Sequence, residues 1–174
     1  NYEQIVHLKP DVVFAYGVGS EVAGFVNRLK DLGIPVVLNA EYLEQSPLGK
    51  AEWIKFMSPF FGKSELGDSI FKAVEANYLR HKKSVENCTH RPVVMTGMPY
   101  KDQWWAPGGK AYLATMLKDA GADYLWKDNQ SDESFVVSPE QMVVNAENTD
   151  FWIHTGFVTS LSGIEGFDSR YLDI

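Results

Sequence analysis

The stretch Glu3-Gln4-Ile5-Val6-His7-Leu8-Lys9-Pro10-Asp11-Val12-Val13-Phe14-Ala15-Tyr16-Gly17 decides how the rest of the chain is read. Its second half is a continuous apolar run stopped by glycine, the pattern of a parallel strand buried on both faces. Ser20 to Gly33 then has helical spacing. Ser20 suits the cap of the first turn, Val22, Phe25, Val26 and Leu29 form an apolar stripe, and Gly33 suits the left-handed position past the last turn. Pro35 to Leu38 begins a second strand. Strand, helix and strand in this order make a βαβ unit, whose crossover is right-handed.

Residues 41–63 are rich in loop signals, with Pro47, Gly49, Pro59 and Gly62 around a short helix at Trp53 to Met57. A long helix follows from Ser64 to Asn87. It contains no proline, and Leu66, Ile70, Ala73, Val74, Tyr78 and Val85 recur along one face. Its acidic residues come early and Arg80, Lys82 and Lys83 late, as the helix dipole favours. At 1.5 Å per residue it runs about 35 Å, enough to join two lobes. After Arg91-Pro92 the α/β alternation resumes. The pattern gives a strand at Val93 to Thr96, a loop to Gly109, a helix from Ala111 to Ala120 and a strand from Ala122 to Trp126. A helix from Ser138 to about Ala146 and a strand from Asp150 to His154 follow, and Thr159 to Gly163 reads as a polar loop. The expected division is 1–58, an α/β lobe; 59–88, the connecting helix; and 89–174, a second α/β lobe.

Two echoes link the ends of the chain. Glu3-Gln4-Ile5-Val6, Asp11 and a strand ending at Gly17 match Glu140-Gln141-Met142-Val143, Asp150 and a strand ending at Gly156. Leu29-Lys30-Asp31-Leu32-Gly33 before one strand resembles Leu117-Lys118-Asp119-Ala120-Gly121 before another. The order of these units differs between the halves, so the chain is not a tandem array.

The run from Glu3 to Val13 is similar to the E-x-I-x-x-L-x-P-D-L-V signature of the iron-siderophore and cobalamin binding proteins of ABC importers. Ser138-Pro139-Glu140-Gln141 and Thr149-Asp150-Phe151-Trp152-Ile153 look like its second-lobe counterpart. The resemblance covers nearly the whole chain. It implies an α/β fold of class III periplasmic-binding-protein type, two parallel-sheet lobes joined by one long helix, here with the first lobe incomplete. It also implies capture of a metal chelate (ferric siderophore, haem or cobalamin, a corrinoid) in an aromatic interlobe cleft. Delivery would be to ABC permease subunits, from a periplasmic or lipid-anchored extracytoplasmic location, with no cofactor and no catalysis.

Glu3 and Glu140 stand where the family carries one acidic residue per lobe, implied to dock on permease arginines. Exposed carboxylates at helix starts also gain from the dipole, and a pair of them can fix register and speed encounter. Tyr16 ends the first strand, where α/β sheets open onto ligands. Tyr42 follows the second strand. The loop Gly97 to Gly109 carries Tyr100, Lys101, Trp104 and Trp105. Flat aromatic faces suit a large planar or macrocyclic ligand, although one tryptophan of the pair is expected to cap the second-lobe core. Trp105 matches a family ligand-contacting aromatic best, and Lys101 would meet an anionic chelate or propionate, or simply be solvated.

Composition narrows the alternatives. At 45% hydrophobic and 22% charged residues, the 174-residue chain lies in the globular range rather than the disordered one. A net charge of -7 leaves no basic excess for nucleic acid, and no apolar run is long enough to insert in a membrane. Cys88 stands alone, so an internal disulfide and a multi-cysteine metal site are excluded. His7 and His154 lack neighbouring ligands and read as structural, leaving no metal site. A second reading is a small-molecule enzyme with an anion site at the Gly17-Val18-Gly19-Ser20 turn, though the turn lacks the lysine of a P-loop and the chain lacks a nucleophile elbow. A third is a module that only contacts a permease.

Overall fold

The computed structural model describes residues 2–17, 20–100, 103–156 and 158–167. Contacts divide the chain into two compact units, Asn1–Glu44 and Gln45–Ile174. The first contains α1 (Tyr2–Leu8), β1 (Val13–Tyr16), α2 (Ser20–Asp31) and β2 (Val36–Asn39), closed by a 3-10 turn at Glu41–Leu43. β1 and β2 are parallel, with Val13 opposite Val36 and Tyr16 opposite Asn39, so the expected βαβ unit is present. Among its described residues, Val26, Leu29 and Ile34 are buried. Val18 and Gly19 of the expected anion turn, and the side chain of the cap residue Ser20, lie outside what is described.

The second unit opens with α3 (Pro47–Met57), a 3-10 turn (Ser58–Phe61) and α4 (Ser64–Ser84). α3 begins six residues before the expected Trp53. Ser46 caps it by accepting a hydrogen bond from the Gly49 amide, and Pro47 occupies the first turn, where a missing N–H costs nothing. Proline and glycine there mark a helix start rather than a break.

α4 is the long helix, but its buried face is not the one the apolar spacing suggested. Gly67 and Phe71 are buried, whereas Leu66, Ile70 and Val74 are exposed. Gly67 sets this orientation. A Cβ there would overlap the Ser58 side chain and come within 3.3 Å of the Ile54 carbonyl, so only glycine lets the two helical segments approach so closely. Because α3 and α4 group with the second unit, the contacts part the chain at 44/45; the divisions at 58/59 and 88/89 remain proposals for the full protein.

A three-stranded parallel sheet follows, ordered β5 (Asp123–Tyr124), β3 (Val93–Thr96), β7 (Phe151–Ile153). Successive side chains of the central strand point to opposite faces. Met95 packs with Trp104, Ala106, Val137, Met142, Ala146 and Ile164, while Val94 packs with Ala114, Leu117, Ala122 and Tyr124. Trp126 touches both clusters. α5 (Tyr112–Asp119) and α6 (Pro139–Ala146) supply apolar faces to these layers.

Two elements depart from expectation. The supposed loop to Gly109 contains β4 (Trp104–Pro107), paired antiparallel with β6 (Ser134–Val137). The supposed polar loop at Thr159 to Gly163 runs into α7 (Leu161–Phe167), which buries Ile164 against the Met95 cluster. Cys88 is exposed in the segment after α4.

The second echo has a specific physical content. Gly33 has φ 74°, its amide donates to the Lys30 carbonyl at 2.9 Å, and Ile34 donates to the Leu29 carbonyl at 2.9 Å. Gly121 has φ 87°, its amide donates to Lys118 at 3.1 Å, and Ala122 donates to Leu117 at 2.9 Å. Both are Schellman motifs, in which the left-handed glycine lets the chain turn back and satisfy the last helical carbonyls. The shared Leu-Lys-Asp-x-Gly string is therefore the chemistry of a helix end feeding a parallel strand.

Candidate functional site

Tyr16 is the last residue of β1 and is 80% exposed. Tyr42 lies in the 3-10 turn just past β2, where Asn39 Oδ1 accepts the Glu41 amide at 3.1 Å. The two rings meet edge to face, with centroids 6.4 Å apart at 75°. The first unit thus presents an exposed aromatic pair at the carboxyl edge of its parallel strands, the edge at which α/β sheets bind ligands.

In the second unit, Gly97 follows β3 with φ 88°, and His154 follows β7 with φ 57°. Trp104 and Trp152 lock this edge. Trp104 Nε1 donates to the Thr96 carbonyl at 3.0 Å, Trp152 Nε1 donates to the Gly97 carbonyl at 2.8 Å, and the rings are 5.6 Å apart. Trp104 is 0% exposed. Its expected place among ligand-facing rings is therefore corrected: its indole fills the core and its one donor is already used.

Trp105 points the other way and is 52% exposed. Alternation along β4 is the cause: Trp104 and Ala106 take the buried face opposite Val137 and Phe135, leaving Trp105 and its cross-strand partner Val136 outside. Val136 is a residue that sequence reasoning missed: Ser134 to Val137 reads as one polar and three apolar residues without alternation, and only the pairing with β4 sets its outward face. Tyr100 is exposed and forms an isolated bridge with Gln103. Lys101 lies outside the described residues.

Glu3 and Glu140 are both exposed in the first turns of α1 and α6. α6 is held by a capping box in which Ser138 and Gln141 exchange hydrogen bonds. Asp150, the second member of the echoed acidic pair, anchors the entry to β7: its carboxylate accepts the Val93 amide at 2.7 Å, and its own amide donates to the Val93 carbonyl. His7 lies in α1 and His154 is exposed past β7. Among the described residues, no three His, Cys, Asp or Glu side chains converge to hold a metal.

The charges of the second unit gather elsewhere. Asp119 accepts from the Tyr78 hydroxyl at 2.6 Å and pairs with Lys82 at 2.9 Å, tying α4 to the end of α5. Burial alone would raise the Asp119 pKa, but the bonds from Tyr78 and Lys82 win and hold it low. Burial and the same carboxylate push the Tyr78 hydroxyl up. Arg91 and Lys127 both pair with Asp123, the first residue of β5.

The sequence profile of the periplasmic binding proteins matches residues 1–167. The chain belongs to the periplasmic binding protein family. An uncharacterized lipoprotein of Methanocaldococcus jannaschii is 31% identical over 156 residues, 88% of this chain and 37% of that protein. The chain thus spans a little over a third of the length of the curated relatives it matches. A possible iron-binding periplasmic solute-binding protein from Staphylococcus epidermidis superposes with TM-score 0.73 at 21% identity, covering 99% of this chain and 65% of that one. A siderophore-binding protein from Vibrio cholerae, solved with Fe3+-Desferal, superposes with TM-score 0.66 at 18% identity, covering 98% and 63%. These likenesses share the α/β fold. The family is one of binding proteins, not of enzymes, which removes the catalytic reading of the Gly17 to Ser20 turn.

Proposed function

We propose that the full-length protein is an extracytoplasmic receptor that captures a metal chelate on aromatic carboxyl-edge surfaces and hands it to an ABC permease. The observation that carries this reading is the Tyr16–Tyr42 pair, exposed at the ends of two adjacent parallel strands. Rings left in water at the ligand-binding edge of a sheet are costly unless a partner covers them, and they match a macrocycle or a chelate shell better than a small polar solute. Trp105 with Val136 offers a similar surface in the second unit. The solved structures named above for iron and a siderophore support the chelate class, and the lipoprotein relative supports a location outside the cytoplasm.

Delivery rests on Glu3 and Glu140, exposed carboxylates on helices of equivalent sequence. Titration of the full-length protein with haem, a ferric siderophore and cobalamin should quench tryptophan fluorescence with at least one of them. No quenching by any would count against chelate capture. Reversal of both glutamates to lysine should abolish uptake while leaving chelate affinity intact; unchanged uptake would remove the docking role.

A further inference from the structure

The sequence holds the tripeptide Asn-x-Ser/Thr, with x other than proline, at two places: Asn87-Cys88-Thr89 and Asn129-Gln130-Ser131. In a chain exported from the cytoplasm this tripeptide is the acceptor for an asparagine-linked glycan, read through the asparagine carboxamide and the hydroxyl two residues on. The fold treats the two copies differently.

Asn129 and Ser131 are engaged in a turn. Asn129 Oδ1 accepts the Ser131 amide at 2.8 Å. The Ser131 hydroxyl accepts the Glu133 amide at 3.0 Å and donates to the Glu133 carbonyl at 3.3 Å. The backbone of this turn lies tight against the chain opposite, since a Cβ on Gly109 would come within 2.4 Å of the Asn129 carbonyl oxygen. A transferase that must grip both side chains would first have to dismantle these contacts.

Asn87, Cys88 and Thr89 are all exposed, in the irregular segment between α4 and β3. Among the described residues, neither the Asn87 carboxamide nor the Thr89 hydroxyl has a hydrogen-bond partner. The Cys88 amide donates to the Val85 carbonyl at 3.1 Å, so the tripeptide leaves the helix end in an exposed turn, the kind of segment that modifying enzymes reach.

We infer that Asn87 is a site of N-linked glycosylation and that Asn129 is not. The inference rests on the extracytoplasmic location in the receptor reading above and goes beyond it. The donor is a lipid-linked oligosaccharide, whose anomeric carbon is attacked by the Asn87 carboxamide nitrogen. An N–C bond forms, the C–O bond to the lipid phosphate breaks, and the phosphate leaves with the electron pair. The amide proton goes to a base of the transferase. Asn87 lies before the amino end of β3, whereas Tyr100 and Trp105 follow its carboxyl end, so glycan and chelate belong to opposite edges of the sheet.

The test is peptide mass spectrometry on the full-length protein isolated from its own host, with protease treatment of spheroplasts to establish where the protein lies. The fragment carrying Asn87 should be heavier by whole sugar residues, and the fragment carrying Asn129 should have its unmodified mass. Asn87→Gln and Thr89→Val should each abolish the increment, Thr89→Ser should keep it, and chelate affinity should be unchanged in all three. An unmodified Asn87 in a protein cleaved on intact spheroplasts would overturn the inference and leave the receptor reading intact. An increment that survives Thr89→Val, or one on Asn129 in place of Asn87, would overturn the role given to the accessible tripeptide. A protein cleaved only after lysis would overturn the receptor reading, and this inference with it.

Discussion

Adjacent tryptophans at 104 and 105 receive opposite roles because a strand alternates its faces. Trp104→Ala removes a fully buried indole and its bond to Thr96, and should cost about 3–5 kcal/mol of stability in a denaturant titration. Trp105→Ala should change stability by no more than about 0.5 kcal/mol while removing much of any chelate-induced quenching. The reverse pattern would mean that the alternation has been assigned to the wrong faces. Gly67→Ala is a second residue-scale case. Adding a methyl against Ser58 should destabilise by about 1–3 kcal/mol, and a shift in the urea midpoint would measure it. The sequence contained both pairs of residues in plain view. Which tryptophan is buried, however, depends on a partner strand some thirty residues away, and that is not a local property.

At the scale of elements, the βαβ unit, the long helix and the parallel strands were legible because each is announced locally, by an apolar run, a proline-free helical stretch or a glycine at a helix end. The Schellman ends at Gly33 and Gly121 are local devices of this sort. What escaped were features set by distant contacts: the β4–β6 ribbon, the face α4 turns toward α3, and α7. Trp104 to Pro107 contains a proline and no polar alternation, so nothing within it announces a strand. The exposed row Leu66, Ile70 and Val74 shows why apolar spacing alone misdirects, since a close glycine contact outweighed it.

The α4–α5 tie makes a pH prediction. Asp119 is held below its unfolded value, so its contribution is present above about pH 4–5 and is lost as pH falls through the folded pKa. Tyr78 is raised, so its contribution is full below about pH 10 and is lost as pH rises through the folded value. Stability from this pair should be level between about pH 5 and 9, and Tyr78→Phe should lower that plateau by about 1.5–3 kcal/mol. Thermal melts across pH for both proteins would measure it; an unchanged plateau would show that the hydroxyl contributes nothing.

For the whole molecule, the echo of the two glutamate-bearing helices connects the ends of the chain on residue pattern alone, while the family match bears out the resemblance of the chain to the periplasmic binding proteins. The candidate site was less legible. Tyr16 and Tyr42 could be placed because they follow strands, but their mutual contact depends on the 3-10 turn at Glu41 that brings Tyr42 back beside Tyr16. Ligand identity is a property of the full-length protein. The most direct measurement is the visible absorbance spectrum and metal content of that protein isolated from its own host. A chelate receptor should carry a visible chromophore with up to one equivalent of bound metal. A metal-free protein carrying a colourless organic solute in that place would contradict it.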